Sequence, residues 1–456
     1  MHFSPTFQLL AAALLVEGTP VIQQVDRRQV TSALASATSA IGSAVVSAVS
    51  AEFTSVTGSA ASTSSSSMSS DTTSSLSSSM TSAAANMTSS MATTTSSPSF
   101  SIVTPTSGPK PTLIKPSGGQ GFNSTPTYQA KSDYDYQSLN LGLHQELIEL
   151  DLFHHGLALF SADDFQNAGI GPEEQYLLQF MAEQEEGHAQ LVANMMGFEG
   201  NWTGPEPTYQ CQYNYPNFTS VRDFIEFSRL ITRFGEGGTI GFLGHMDAQD
   251  SASLINDAIQ TEGRQQMVFR QFSGLFPMPF WFTTSITQSM QWTLLAPYIA
   301  SCPASSPEVE WTAFPTLEID NNPNWPDLNN QAAISKNETM VTYPGRQVNF
   351  TWHDAGEKTG WNASYETKSY ADGKPKYVAW ISQLNTTYTP LTVNNGSNNT
   401  GYTIQPFDSV YGAGTTPLLN GTVYCLITDA AIPVTPYNLS LIEGHVLAGP
   451  ALYNIG

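Results

Sequence analysis

Between residues 132 and 300 apolar side chains recur at three- and four-residue spacing, the period of helices that pack through one face. Leu139, Leu143, Leu150, Phe153 and Leu157 predict a first helix over about 135–160. Gly171-Pro172-Glu173-Glu174 reads as a helix start, because proline presets φ in the first turn and acids suit the positive end of the helix dipole. The second helix carries Leu178, Met181 and Val192 on one face and stops near Gly197. A third starts near Ser220 and runs through Phe224, Phe227, Ile231 and Phe234 toward Met246. After a short break a fourth places Ile255, Ala258, Ile259 and Phe269 on one face, and a shorter fifth is expected over 285–299. From about Asn337 the period changes to two. Val348, Phe350 and Trp352 alternate with polar residues, Val423, Cys425 and Ile427 alternate with Thr422, Tyr424 and Leu426, and 377–381 is a further apolar strand. Asn395-Gly396 and Asn420-Gly421 are turn signals. Short strands with such turns predict a small antiparallel β-sandwich.

The connections define the wiring. A short link joins the first two helices, a long Pro-, Tyr- and Asn-rich crossover follows over 198–219, and a second short link joins the last two. That is the pattern of a ferritin-like four-helix bundle with one long crossover, since an up-down-up-down bundle has three short loops. The expected class is therefore α+β multidomain: a helical domain over 132–303, a linker over 304–336 and a β-rich domain over 337–456.

The N-terminal part has a different character. Residues 7–16 form an apolar run of the length of a signal-peptide core, which predicts a signal peptide over about 1–20 and a pro-segment over 21–28 ending at Arg27-Arg28. Over 29–120 Ser and Thr dominate, with Glu52 and Asp71 the only charges between residues 31 and 108. Such a stretch buries too little apolar surface to offset the entropy of ordering, so a disordered stalk is expected. Sequons lie at Asn86, Asn123, Asn201, Asn217, Asn337, Asn349, Asn362, Asn385, Asn395, Asn398, Asn420 and Asn438. Together they predict a secreted glycoprotein, extracellular or in the cell wall, with cell-wall or matrix association. The charge agrees with that placement. Lys+Arg number 16 and Asp+Glu 38, a net charge of −22. So acidic a chain repels nucleic acid and anionic lipid, and no apolar run reaches the roughly 18 residues of a membrane span.

The chemistry sits on the helical stripes. Glu146 lies among Leu143, Leu150 and Phe153, with Glu149 close by; Glu185 and His188 form Glu-x-x-His; Glu236 lies in a Gly-rich stretch; Glu262 shares the face of Ile255, Ile259 and Phe269. A charge on a packed face is costly unless it is paired or bound to a cation. Inward carboxylates from four helices, with a His one turn from a Glu, make an oxygen-rich cage for one or two transition ions. The same residues satisfy one another without metal if Arg229, Arg233 or Arg264 turns inward. The three cysteines show no zinc spacing. Cys211 and Cys302 fall in loops and predict a disulfide, whereas Cys425 sits on an apolar strand as a buried thiol.

The stretches LNLGLHQELIELDLFHHGLALF, IGPEEQYLLQFMAEQEEGHAQLVANMMG, RFGEGGTIGFLGHMD and TEGRQQMVFRQFSGLFPMPFWF resemble the ferritin-like domain of fungal secreted proteins of the stress-response and late-sexual-development type. The resemblance implies a carboxylate-bridged site with Glu146, Glu185 and His188 as one half and Glu236 and Glu262 as the other. At the position of the second expected His stands Gln265, a neutral amide and a poorer ligand than imidazole. Two functions follow as expectations: an iron- or manganese-binding protein with redox chemistry toward peroxide or ferrous iron, or a metal-free, non-catalytic surface or adhesion glycoprotein that uses the bundle as a scaffold.

Overall fold

The computed structural model describes residues 125–196, 211–323, 342–396, 399–407 and 421–455. All of them fall within one unit, Lys115–Gly456. The signal peptide, pro-segment and stalk, and the sequons at Asn86, Asn123, Asn201, Asn337, Asn398 and Asn420, lie outside the described residues.

Four long helices form the bundle: α1 (Asp133–Leu159), α3 (Pro172–Met196), α4 (Val221–Leu243) and α5 (Gln249–Phe272). A one-and-a-half-turn helix that periodicity was too short to reveal, α2 (Ala162–Asn167), fills the first link, closed by a capping box between Ser161 and Asp164. Ser132 and Ser220 cap α1 and α4 by accepting from the backbone N–H three residues on. Helix α5 has no side-chain cap of its own. Buried Asp135 of α1 instead holds the residues just before α5, accepting from the N–H groups of Asp247 and Ala248 at 2.9 Å each. One carboxylate thus ties the start of α5 to the start of α1.

Helix α1 departs from the amphipathic expectation. Leu141, Ile148 and Leu152 are buried along with Leu139, Leu143 and Phe153 of the predicted stripe, whereas Leu150 and Leu157 are half-buried. The added cover comes from α6 (Gln288–Leu295) and from the chain that follows it: Asn140 Nδ2 donates to the Glu308 carbonyl and Trp311 Nε1 to the Gln137 carbonyl. A helix apolar on more than one face is a buried helix.

The β region holds two four-stranded antiparallel sheets and a two-stranded ribbon of β5 (Lys358–Thr359) with β6 (Tyr365–Glu366). One four-stranded sheet has the order β3-β4-β10-β9 and the other β12-β11-β7-β8. Their strands are β3 (Leu317–Ile319), β4 (Gln347–Trp352), β7 (Tyr377–Ser382), β8 (Asn385–Pro390), β9 (Thr392–Val393), β10 (Thr400–Ile404), β11 (Thr422–Thr428) and β12 (Val446–Asn454). Val348, Phe350 and Trp352 of the first sheet meet Val378, Trp380, Val423, Cys425 and Ile427 of the second in one apolar cluster. The segment 304–336, expected as a linker, therefore contributes an edge strand, β3, paired to β4.

The second sheet has two covered faces. Ala379, Ile381, Tyr424 and Leu426 point away from the sandwich and join the helical core with Phe234 and Ile286. Every residue of β11 is buried for this reason. Helix α4 allows the approach through its glycines. A Cβ on Gly237 would lie 2.8 Å from the Tyr424 hydroxyl, and one on Gly241 would lie 1.9 Å from the Ile286 carbonyl oxygen. The Gly-rich stretch is thus a packing surface inside a regular helix.

Cys211 and Cys302 are joined by a disulfide, with Cα atoms 4.2 Å apart, and Cys425 is a buried thiol. The bridge reinforces the pairing of β1 (Gln212–Tyr213) with β2 (Ile299–Ser301), so the end of the crossover is fixed to the chain after α6. Among the described sequons, Asn217, Asn362 and Asn395 are exposed and Asn349, Asn385 and Asn438 are half-buried. No helix among the described residues is long and apolar enough to cross a membrane.

Candidate metal centre

Glu185 and His188 share the inward face of α3 because i, i+3 positions stack on one side of a helix. His188 Nδ1 lies 3.0 Å from Glu185 Oε2, 3.3 Å from Glu146 Oε2 of α1 and 3.9 Å from Glu262 Oε1 of α5. One donor atom from each of these four residues falls within 4.8 Å of the others. Around a first-row ion with bonds of about 2.1 Å, ligand atoms stand about 3 to 4.2 Å apart, the range in which His188 Nδ1 already stands from the three carboxylates. The imidazole is already oriented. Thr261 Oγ1 donates to the Ala258 carbonyl at 2.7 Å, which leaves its lone pair for His188 Nε2 at 3.0 Å. His188 thus holds a proton on Nε2 and turns Nδ1 toward the carboxylates.

The group is nearly sealed, with 11% of the His188 side chain and 7% of the Glu146 side chain reaching solvent. Burial pushes the Glu146 carboxyl up to about 7, partly opposed by His188. Burial, joined by the neighbouring carboxylates, also raises Glu149 and Glu262 well above the ordinary range. Burial alone lowers the His188 pKa; the hydrogen bonds and charges of Glu146 and Glu185 outweigh it and lift the group to about 10. Without a cation the cage holds protons, and a cation that enters displaces them. Glu262 Oε2 and Gln265 Oε1 are buried with no hydrogen-bond partner among the described residues. Orphaned acceptor oxygens at the edge of such a cluster fit a metal better than a self-satisfied polar core.

The remaining expected ligands sit elsewhere. Glu149 is buried beside the group, but both its oxygens are engaged, by Gln145 Nε2 at 2.7 Å and Thr232 Oγ1 at 2.9 Å. Gln265 donates through Nε2 to Glu185 and to Gln184. Glu236 is held by the Arg233 guanidinium at 2.7 Å, with Thr283 Oγ1 3.3 Å from its other oxygen. Glu262 thus groups with Glu146, Glu185 and His188, while Glu236, whose charge still acts on Glu262, forms an ion pair with Arg233. The physical cause is local, because Arg233 and Glu236 are i, i+3 neighbours on α4. Thr261 was not anticipated, and only its place directly before Glu262 marked it in the sequence. A second grouping of His144, Cys211 and Cys302 offers no thiolate, since both cysteines are in the disulfide.

A bundle with one long crossover and inward Glu and Glu-x-x-His residues is the ferritin-like class, and residues 134–275 match the family described as the ferritin-like domain. The chain is also 44% identical over 361 residues to Protein rds1 of Schizosaccharomyces pombe, an alignment covering 76% of this chain and 87% of that one. The chain belongs to the family of that fungal protein.

Proposed function

We propose that the protein is a secreted glycoprotein whose ferritin-like bundle binds iron or manganese through Glu146, Glu185, His188 and Glu262. One observation carries the reading: four buried donors from three helices lie within 4.8 Å of one another. Three carboxylates and one imidazole suit a hard or borderline first-row ion better than a soft one. When bound, such an ion supplies Lewis-acid and redox chemistry toward small oxygen species. The chain's own part is to orient the imidazole through Thr261 and to exclude bulk water. The nearly closed cage admits only small molecules. The apolar run at 7–16, the sequons and the disulfide support passage through the secretory pathway. The family resemblance motivates a role in stress or development.

A second reading, a metal-free scaffold in a surface glycoprotein, is favoured by the hydrogen bonds that Gln265 and His188 already make with Glu185. Metal analysis of the full-length secreted protein separates the two. Wild type should carry iron or manganese, and Glu185→Ala and His188→Ala should lose it with helix content intact. A wild type that takes up neither ion leaves the scaffold reading standing.

A further inference from the structure

Five carboxylates enter the bundle: Glu146, Glu149, Glu185, Glu236 and Glu262, all buried. A site for two divalent ions needs two sets of ligands, each with its own open oxygens or nitrogens. The second set is missing at two points. Gln265, the residue one turn beyond Glu262, donates its Nε2 to Glu185 and Gln184 and leaves only a neutral amide oxygen, a poorer ligand than an imidazole. Glu236, the α4 carboxylate, is neutralised by Arg233.

Arg233 is built into this position. It is 1% exposed, its guanidinium lies 4.5 Å over the Phe280 ring, and its own carbonyl accepts from the Tyr424 hydroxyl at 2.9 Å. The sheet therefore clamps the turn of α4 that carries the arginine. Nε and Nη2 have no hydrogen-bond partner among the described residues. A buried guanidinium stays charged at any pH the protein meets, so its charge repels an incoming divalent ion.

Resting on the metal reading above, we propose that the bundle takes one ion and that the Arg233 guanidinium serves as the resident cation in place of a second. Arg233 compensates Glu236, the metal compensates Glu146, Glu185 and Glu262, and Glu149 keeps its two protein hydrogen bonds. The chemistry open to the site narrows to what a single ion supports.

The test is saturation of the chelated full-length protein with manganese(II), read by bound metal per chain and by the electron paramagnetic resonance spectrum. Wild type should bind one ion with an uncoupled mononuclear signal. Glu236→Gln should also retain one ion, because Glu236 is not a ligand. The double variant Arg233→Met, Gln265→His frees Glu236 and adds an imidazole, and should bind two ions with a spin-coupled signal. Two ions in wild type, or loss of the ion in Glu236→Gln, overturns the inference and leaves the metal reading intact. A correctly folded double variant that still binds one overturns the role given to Arg233. If the double variant does not fold, wild type and Glu236→Gln decide. A wild type that binds no manganese overturns both the inference and the reading beneath it.

Discussion

The protons held by the cage make the stability of the metal-free protein fall as pH rises. Glu146 carries the clearest share. Its carboxyl titrates near 7 in the folded protein, because burial outweighs the help of His188, against an ordinary 4.5. Its contribution is complete below pH 4.5, where folded and unfolded chains both hold the proton. Between 4.5 and 7 the unfolded chain gives the proton up and the folded one keeps it, so the contribution is lost over that window. At about 1.4 kcal/mol for each pH unit separating the two values, the loss is roughly 3 kcal/mol. For a folded unit of this size that is about 5 °C in Tm. His188 extends the decline, since its folded value of about 10 places its loss between 6.5 and 10. Metal reverses the trend, because the ligands must shed their protons to bind it and affinity tightens with pH. The assay is a thermal scan of chelated and manganese-loaded protein at steps from pH 4.5 to 8, with Glu146→Gln alongside. Chelated wild type should lose stability across the window, Glu146→Gln should flatten the slope, and the gap between loaded and chelated protein should widen with pH. A chelated protein whose Tm is flat or rises from 4.5 to 7, or a Glu146→Gln variant with the wild-type slope, refutes the proton-holding cage.

Four further outcomes follow from the hydrogen bonds, the packing and the disulfide. Thr261→Val removes the acceptor for His188 Nε2 and should weaken manganese affinity by about tenfold or more, with unchanged helix content by circular dichroism. Gly241→Ala drives a Cβ into the Ile286 carbonyl and should cost several kcal/mol in denaturant unfolding, on the order of a severe overpacking change. Gly187→Ala on exposed helix surface, with nothing within 4 Å, should instead add about 0.5–1 kcal/mol. Replacing Cys211 and Cys302 with alanine opens a loop spanning 91 residues and should lower stability by about 4 kcal/mol.

The bundle was legible in the sequence because its signals are local and repeated. The helical stripes, the proline start of α3 and the length of the crossover each speak for the same wiring. Glu185 and His188 were legible as a pair for the same reason, since spacing along a helix fixes a common face. What escaped depends on contacts between distant segments. Strand β3 has three residues, too few for alternation to register, and exists because β4 offers it an edge. The burial of α1 on a second face needs α6 and the chain around Trp311, more than 120 residues away. Tyr424 and Leu426 look like the outer positions of a strand, yet both join the helical core, with Gly237 of α4 opening the space for the Tyr424 hydroxyl. The fate of Glu236 was open in the sequence. Arg233 stands three residues before it, but only the fold turns that arginine inward, onto Phe280 and against the sheet.

The most direct measurement is an anomalous difference map from crystals of the full-length protein grown with manganese(II). A single peak is expected between α1, α3 and α5, about 2.0–2.3 Å from His188 Nδ1 and from oxygens of Glu146, Glu185 and Glu262. The Arg233–Glu236 pair should be intact beside it. No peak at that point in crystals holding excess manganese, or a peak ligated by Glu236, contradicts the account.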